Sequence, residues 1–278
     1  MELKSILEKL YNDESKHSRY QNIPQFVKEA SNYSEEINEN WRGDTARYDY
    51  IRRTVKFGDG ESIADIGANT GFFTLSLAYD NRINQFIAYE PNPNHAAFIS
   101  EIADQFQLTN VQTRNRSVGL QEINHIERVD RMIFFNVLHH AGVDFDQELV
   151  PSKAEFNDYI FQYISRLRNK TKQLMFQMGY NWGGDKTNPI VDSDQVREMT
   201  LYVSELFMDA GWKIKKIAYF SFRNKRGSYE DLHEDLVSGI SRNIRDSSVS
   251  ESLDKHIQEL NMLGNSEFYK RPIFVVEA

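Results

Sequence analysis

The chain has no cysteine among its 278 residues. That excludes disulfides, thiolate nucleophiles and cysteine-based zinc sites. It also has no stretch approaching the roughly eighteen apolar residues of a membrane helix, so no membrane span is expected. Its opening residues, Met1-Glu2-Leu3-Lys4, begin a charged amphipathic segment and not the apolar core of a secretory signal. A cytoplasmic location is the expectation. Positive charge is in short supply: 33 Lys and Arg stand against 41 Asp and Glu, a net charge of −8. A large nucleic-acid footprint needs a basic face, so a nucleic-acid partner is disfavoured, though a local patch can suffice.

Two glycine signatures are missing as well. The segment Ser62-Ile63-Ala64-Asp65-Ile66-Gly67-Ala68-Asn69-Thr70-Gly71-Phe72-Phe73-Thr74-Leu75-Ser76 reads as strand, tight turn and helix. A phosphate-cradling loop would end Gly-Lys-Ser/Thr, but Phe72 follows Gly71. A dinucleotide fingerprint starting at Gly67 needs glycines where Asn69 and Phe72 stand, and bulky Phe72 would block a pyrophosphate.

What remains suits a cationic ligand without phosphates, S-adenosylmethionine. Asp65 at the strand end complements a sulfonium and an α-ammonium, and Gly67 and Gly71 let the backbone pass close to the methionine portion. A second strand ends Phe86-Ile87-Ala88-Tyr89-Glu90-Pro91-Asn92, where an acid can accept both ribose hydroxyls. These paired signals resemble the class I S-adenosylmethionine-dependent methyltransferases. The departure is Asn69, where many members have glycine; Asn tolerates left-handed backbone. The resemblance implies a cofactor site of Asp65, Gly67, Ala68, Asn69, Gly71, Phe72, Phe73, Glu90, Pro91 and Asn92. It adds Ser117 and Val118 beside the adenine, and Asn136 and Val137 at the end of the fourth strand.

Around the loop, strand and helix alternate. Strands are expected at 62–66, 85–89, 111–115, 132–138, 173–178, 212–219 and 272–277, with helices at 71–79, 93–106, 152–169 and 193–210. This pattern predicts an α/β, doubly wound, mostly parallel seven-stranded sheet. Residues 1–56 form a helical N-terminal segment or lid. Residues 57–220 and 271–278 form the core. Residues 221–270 form a helical cap inserted before the last strand, with helices near 229–241 and 250–262.

The fourth strand runs into Val137-Leu138-His139-His140. A histidine near neutrality suits removal of a hydroxyl proton, so His139 and His140 are the catalytic candidates. Adjacent histidines at a strand end point to different sides, which disfavours a metal, although Asp144 and Asp146 stand nearby. Tyr180 and Trp182, after the fifth strand, suit a flat or sugar-like acceptor. The clusters holding Arg223, Arg226 and Arg271 flank the insertion and suit an anion such as phosphate.

A narrower resemblance joins Trp41-x-Gly43-Asp44-x-Ala46-Arg47, Gly71-Phe72-Phe73-Thr74-Leu75-Ser76-Leu77-Ala78, Val137-Leu138-His139-His140 and Arg271-Pro272-x-x-x-Val275. Together they look like the methyltransferase part of bacterial O-antigen chain-terminating methyltransferases. It implies cofactor contacts from Arg47 and Tyr48, and methylation of a sugar or sugar phosphate of a surface glycan or its precursor. The expected partner is that small-molecule or glycan acceptor; self-association is left open. A tRNA-modifying methyltransferase, or another small-molecule methyltransferase, is the alternative.

Overall fold

The structure, a computed structural model, describes residues 3–11, 22–32, 43–192, 195–223, 227–262 and 265–278. Two compact units divide it, 1–118 with 129–133 and 119–128 with 134–278.

The first unit contains α1 (Leu3–Tyr11), α2 (Gln25–Ser31), α3 (Asp44–Thr54), β1 (Ser62–Ile66), α4 (Phe72–Asp80), β2 (Gln85–Tyr89), α5 (Pro93–Gln105) and β3 (Val111–Arg114), and takes in the start of β4 (Val129–Phe135). Its strands are parallel: β2 lies between β1 and β3, and β1 also pairs with β4. Ile63, Ala64, Asp65 and Ile66 are all buried, which is why β1 reads as a continuous run without alternation. The helical spacing of Ile6, Leu7 and Leu10 turns one face of α1 inward. That face joins Ile23 and Val27 in a cluster with Leu75, Phe98, Ile99 and Ile102. The N-terminal helices therefore pack on the elements that shape the loop after β1. Asn110 fastens the far end, its amide donating to the carbonyls of Ala78, Asn81 and Asn84 at 3.0–3.2 Å.

The second unit contains α6 (Phe156–Leu167), β5 (Thr171–Gln177), α7 (Val196–Asp209), β6 (Lys213–Ser221), β7 (Ser228–Asp231), α8 (Glu234–Arg242), α9 (Ser247–Glu259), α10 (Glu267–Lys270) and β8 (Ile273–Glu277). Here β8 runs antiparallel between β5 and β6, with Met175 opposite Val275 and Ile217 opposite Phe274.

Among the described residues the strand order is β3-β2-β1-β4-β5-β8-β6-β7, eight strands where the sequence implies seven. The additional strand is β7, an antiparallel edge partner of β6 that overlaps the start of the expected helix 229–241. Four residues with one deeply buried side chain, Tyr229, give too short an alternation to be read. The insertion accordingly opens with a strand, and its helices are α8, α9 and the single turn α10.

Candidate functional site

In the first unit the turn after β1 is wound left-handed at three places. Gly67, Asn69 and Gly71 have φ of 72°, 53° and 71°. A side chain is tolerated at Asn69 because asparagine is among the residues that enter this region. At Gly71 it is not: a Cβ there would lie 2.7 Å from Ile99 Cγ1. The N–H groups of Gly67 and Ala68 donate to Tyr89 O at 2.9 and 3.0 Å, so the turn continues the β1–β2 pairing.

Glu90 holds the turn from the other side. Its Oε2 accepts the backbone N–H of Asn69 at 2.7 Å and its Oε1 that of Asn92 at 2.8 Å. Burial raises its pKa, and these two N–H bonds oppose the rise. His95 Nδ1 lies 3.9 Å from Oε1. Asp65 is buried too. Thr74 Oγ1 donates to its Oδ2 at 2.8 Å, tying the strand end to the first turns of α4. Desolvation pushes the Asp65 carboxyl up to about 7, against the Thr74 bonds and with a small contribution from Glu90. Thr74 is a residue that pattern reading does not single out. Asn115 is another: its amide donates to the carbonyls of Glu90 and Pro91 at 2.8 and 3.0 Å.

The other cofactor candidates of this unit are placed as follows. Ala68 and Phe72 are buried, while Phe73 is half-buried and meets Phe72 edge-on. Pro91 is exposed. Asn92 uses its side-chain oxygen to cap α5 at the N–H groups of Asn94 and His95. Ser117 is half-buried and Val118 buried. Arg47 is buried against Asp44, with Nη2 3.1 Å from Oδ1. Tyr48 donates its hydroxyl to Asp80.

In the second unit Asn136 is the pivot. It is left-handed, with φ 60°. Its N–H donates to Gln177 O at 2.7 Å and its amide to Gln177 Oε1 at 3.1 Å. Arg271 Nη1 donates to Asn136 Oδ1 at 2.8 Å, and Arg271 Nη2 donates to Glu267 Oε1 at 2.6 Å. Glu267 also accepts from the N–H of Tyr180 and the amide of Asn181. Gln177 completes the set by donating to Tyr229 Oη and Arg271 O at 3.0 and 2.8 Å. A buried arginine, a glutamate and two amides thus fix the backbone where β4 ends. Val137, next in the chain, is half-buried.

His139 and His140 lie in a one-turn 3-10 helix, Leu138–His140, and not on extended strand. Their rings consequently sit together, centroids 4.2 Å apart, and do not diverge to opposite sides as strand geometry implies. Their environments differ. His139 is 2% exposed, and its Nδ1 accepts the N–H of Gly179 at 3.1 Å. Burial, His140 and Arg271 together hold its pKa well below the ordinary imidazole value. His140 is 22% exposed at the side chain, and its Nδ1 lies 2.9 Å from Asp144 Oδ2. Among the described residues no three or more His, Asp or Glu side chains are grouped to hold a metal.

Of the acceptor candidates, Tyr180 is fully buried and donates its hydroxyl to Lys270 O at 2.8 Å. Trp182 is half-buried, with its indole N–H donating to Ala141 O at 2.7 Å. Arg223 pairs with Glu259 at 3.2 Å and Glu230 at 3.7 Å. Arg271 pairs with Glu267 and lies over the Phe268 ring, 4.1 Å from its centroid. Arg226 lies outside the described residues.

No protein-family model matches this chain. No curated protein matches it either. Among solved structures it is similar to the bifunctional kinase-methyltransferase WbdD, at 14% identity over 100% of this chain and 68% of that one, with a TM-score of 0.53. It is also similar to StiE O-MT residues 961–1257, at 12% identity over 97% of this chain and 90% of that one, with a TM-score of 0.50. Against WbdD crystallised with a kinase inhibitor the identity is 20% over 66% of this chain, with a TM-score of 0.45. The chain spans only 39% and 43% of the WbdD chain in two of its crystal structures. At these identities the likeness establishes the fold, an open α/β sheet of the class I methyltransferase type.

Proposed function

We propose that the chain is an S-adenosylmethionine-dependent methyltransferase acting on an oxygen of a sugar or sugar phosphate, in a bacterial surface glycan or its precursor. The observation that carries the cofactor half is Glu90. Each of its carboxylate oxygens accepts one backbone N–H, from Asn69 and from Asn92. Each therefore keeps a second lone pair, and the pair of oxygens fits the two hydroxyls of a ribose. The left-handed turn at Gly67, Asn69 and Gly71 leaves no Cβ at its two glycines, which fits an extended amino-acid tail. Ser117 and Val118 would border the adenine. When bound, S-adenosylmethionine supplies an electrophilic methyl group on a sulfonium. Asp65, a buried carboxyl raised by desolvation, is favoured in its ionised form by a nearby cation.

Oxygen as the acceptor atom is supported by the StiE O-methyltransferase domain, whose fold this chain shares. A glycan acceptor is supported by the likeness to WbdD and by the motifs from Arg47 to Arg271 that resemble the chain-terminating enzymes. The test has two steps. Calorimetric titration with S-adenosylhomocysteine asks for the cofactor site. A methyl-transfer assay against nucleotide sugars, glycan precursors and bulk tRNA asks for the acceptor. Saturable binding with transfer to a sugar class supports the reading; transfer to tRNA alone overturns its acceptor half.

A further inference from the structure

Asp65 is a buried acid with no positive charge against it. Its residue is 5% exposed. Its strand neighbours are apolar, Ala88 on β2 and Ile133 on β4. Among the described residues it pairs with no lysine, arginine or histidine, and the other charge that acts on it, Glu90, has its own sign. The histidine of this region, His95, lies against Glu90, with Nδ1 3.9 Å from Oε1. All of these residues belong to the first unit.

A carboxyl placed this way is more stable as the neutral acid, because burial penalises the ion and nothing nearby offsets its charge. Its hydrogen bonds come from one residue. The Thr74 hydroxyl donates to Oδ2 at 2.8 Å, and the Thr74 backbone N–H adds a weaker pull on the ionised form. Thr74 is itself 1% exposed, so its hydroxyl does not turn away to water. With Oδ2 taken as an acceptor, Oδ1 is the oxygen left to carry the acid hydrogen. Asp65 stands just ahead of the left-handed turn at Gly67, Asn69 and Gly71, the turn assigned to the cofactor's amino-acid tail.

Resting on the cofactor reading above, we infer that cofactor binding is coupled to loss of one proton from Asp65, and that Thr74 is the positioning residue that sets the pH range of this coupling. The cofactor brings the cation that the first unit lacks beside Asp65. Once it is seated, the O–H bond of the carboxyl breaks, the bonding pair stays on oxygen, and the proton leaves to solvent. The buried ion pair replaces a buried neutral acid. Two positive groups can supply the charge: the α-ammonium, which S-adenosylhomocysteine shares, and the sulfonium, which it lacks. The free protein holds more protons than the complex, so affinity rises with pH while Asp65 titrates and levels off above that range. Burial places the range near neutrality, at about 7. Loss of the Thr74 bonds, which favour the ion, moves it upward.

Calorimetric titration in two buffers of different ionisation enthalpy, PIPES and bis-Tris, counts the protons released. The ligands are S-adenosylmethionine and S-adenosylhomocysteine. At pH 6.5 the wild type should release roughly half to one proton per site, and little at pH 8. Its Kd should fall about tenfold between pH 6 and pH 8. Release with both ligands assigns the cation to the ammonium; release with S-adenosylmethionine alone assigns it to the sulfonium. Asp65→Asn should release no proton at pH 6.5. Thr74→Val should still release protons at pH 8, where the wild type does not, and Thr74→Ser should follow the wild type. A merely structural role for Thr74 would weaken binding without moving this pH profile. Saturable wild-type binding of both ligands with no proton released at pH 6.5 overturns the inference and leaves the methyltransferase reading standing. Equal release by the wild type and Asp65→Asn, or the same pH profile in Thr74→Val, overturns it too. Absence of binding by the folded wild type instead removes the cofactor reading itself.

Discussion

Glu90 Oε2 accepts the backbone N–H of Asn69 at 2.7 Å, so the residue that follows β2 holds the left-handed turn that follows β1. The side chain expected to meet the ribose is thus also the brace of the loop expected to meet the methionine tail. Glu90→Gln should separate the two duties. A glutamine carries one acceptor oxygen where two are used, leaving either the Asn69 or the Asn92 N–H facing an amide NH₂. Loss of one buried partner costs about 1–3 kcal/mol. Urea unfolding of Glu90→Gln should show a loss of that size; an unchanged midpoint would mean the loop is not braced there.

Gly71 is closed to a side chain. Gly71→Ala adds a left-handed residue and a Cβ 2.7 Å from Ile99 Cγ1. Strain of this kind costs about 1–3 kcal/mol and overpacking a similar amount. Asn69→Gly keeps the left-handed backbone free of strain but removes the Oδ1 that accepts the Thr70 N–H at 2.7 Å, so a loss of about 1 kcal/mol is expected by the same measurement.

Asp65 gives a pH signature. Its folded-state pKa of about 7 stands above the unfolded value of 3.8. Between these values the folded protein holds more protons than the unfolded chain, so this group lowers stability as pH rises from about 4 to about 7. The loss is complete above pH 7 and amounts to about 4 kcal/mol at most. Denaturation midpoints of the ligand-free protein across pH 5–8 should fall more steeply in the wild type than in Asp65→Asn. Parallel curves would contradict the assignment.

Arg271 and Glu267 form a pair 6% and 16% exposed at their side chains, and both reach further groups. Removing one member leaves an uncompensated charge, which costs about 3–5 kcal/mol. Glu267→Gln and Arg271→Met should each unfold at clearly lower urea concentration. The double substitution should recover much of the loss, a non-additivity that chemical denaturation reads directly.

The readable parts of this protein are those carried by local chemistry. Strands β1 and β2 lie where the apolar runs place them, and the left-handed Asn69 follows from its residue type. The two acids stand at the carboxyl ends of their strands, Asp65 one residue before the end of β1 and Glu90 one residue after β2. The brace between Glu90 and Asn69 crosses 21 residues and has no local mark. Nor does the lock of Asn136 by Arg271 across 135. The pairing of the two histidine rings has no mark in the sequence, because a one-turn 3-10 helix after an apolar strand has no periodicity to reveal it. Strand β7 escaped for the opposite reason: its polar residues fit a helix start as well as an edge strand.

The most direct test is calorimetric titration of S-adenosylhomocysteine into the wild-type protein and into Glu90→Ala, with folding of both verified by circular dichroism. Saturable binding by the wild type and at least a 100-fold loss in Glu90→Ala are expected, since both ribose contacts are assigned to that carboxylate. No binding by the folded wild type, or equal binding by both proteins, would contradict the cofactor site.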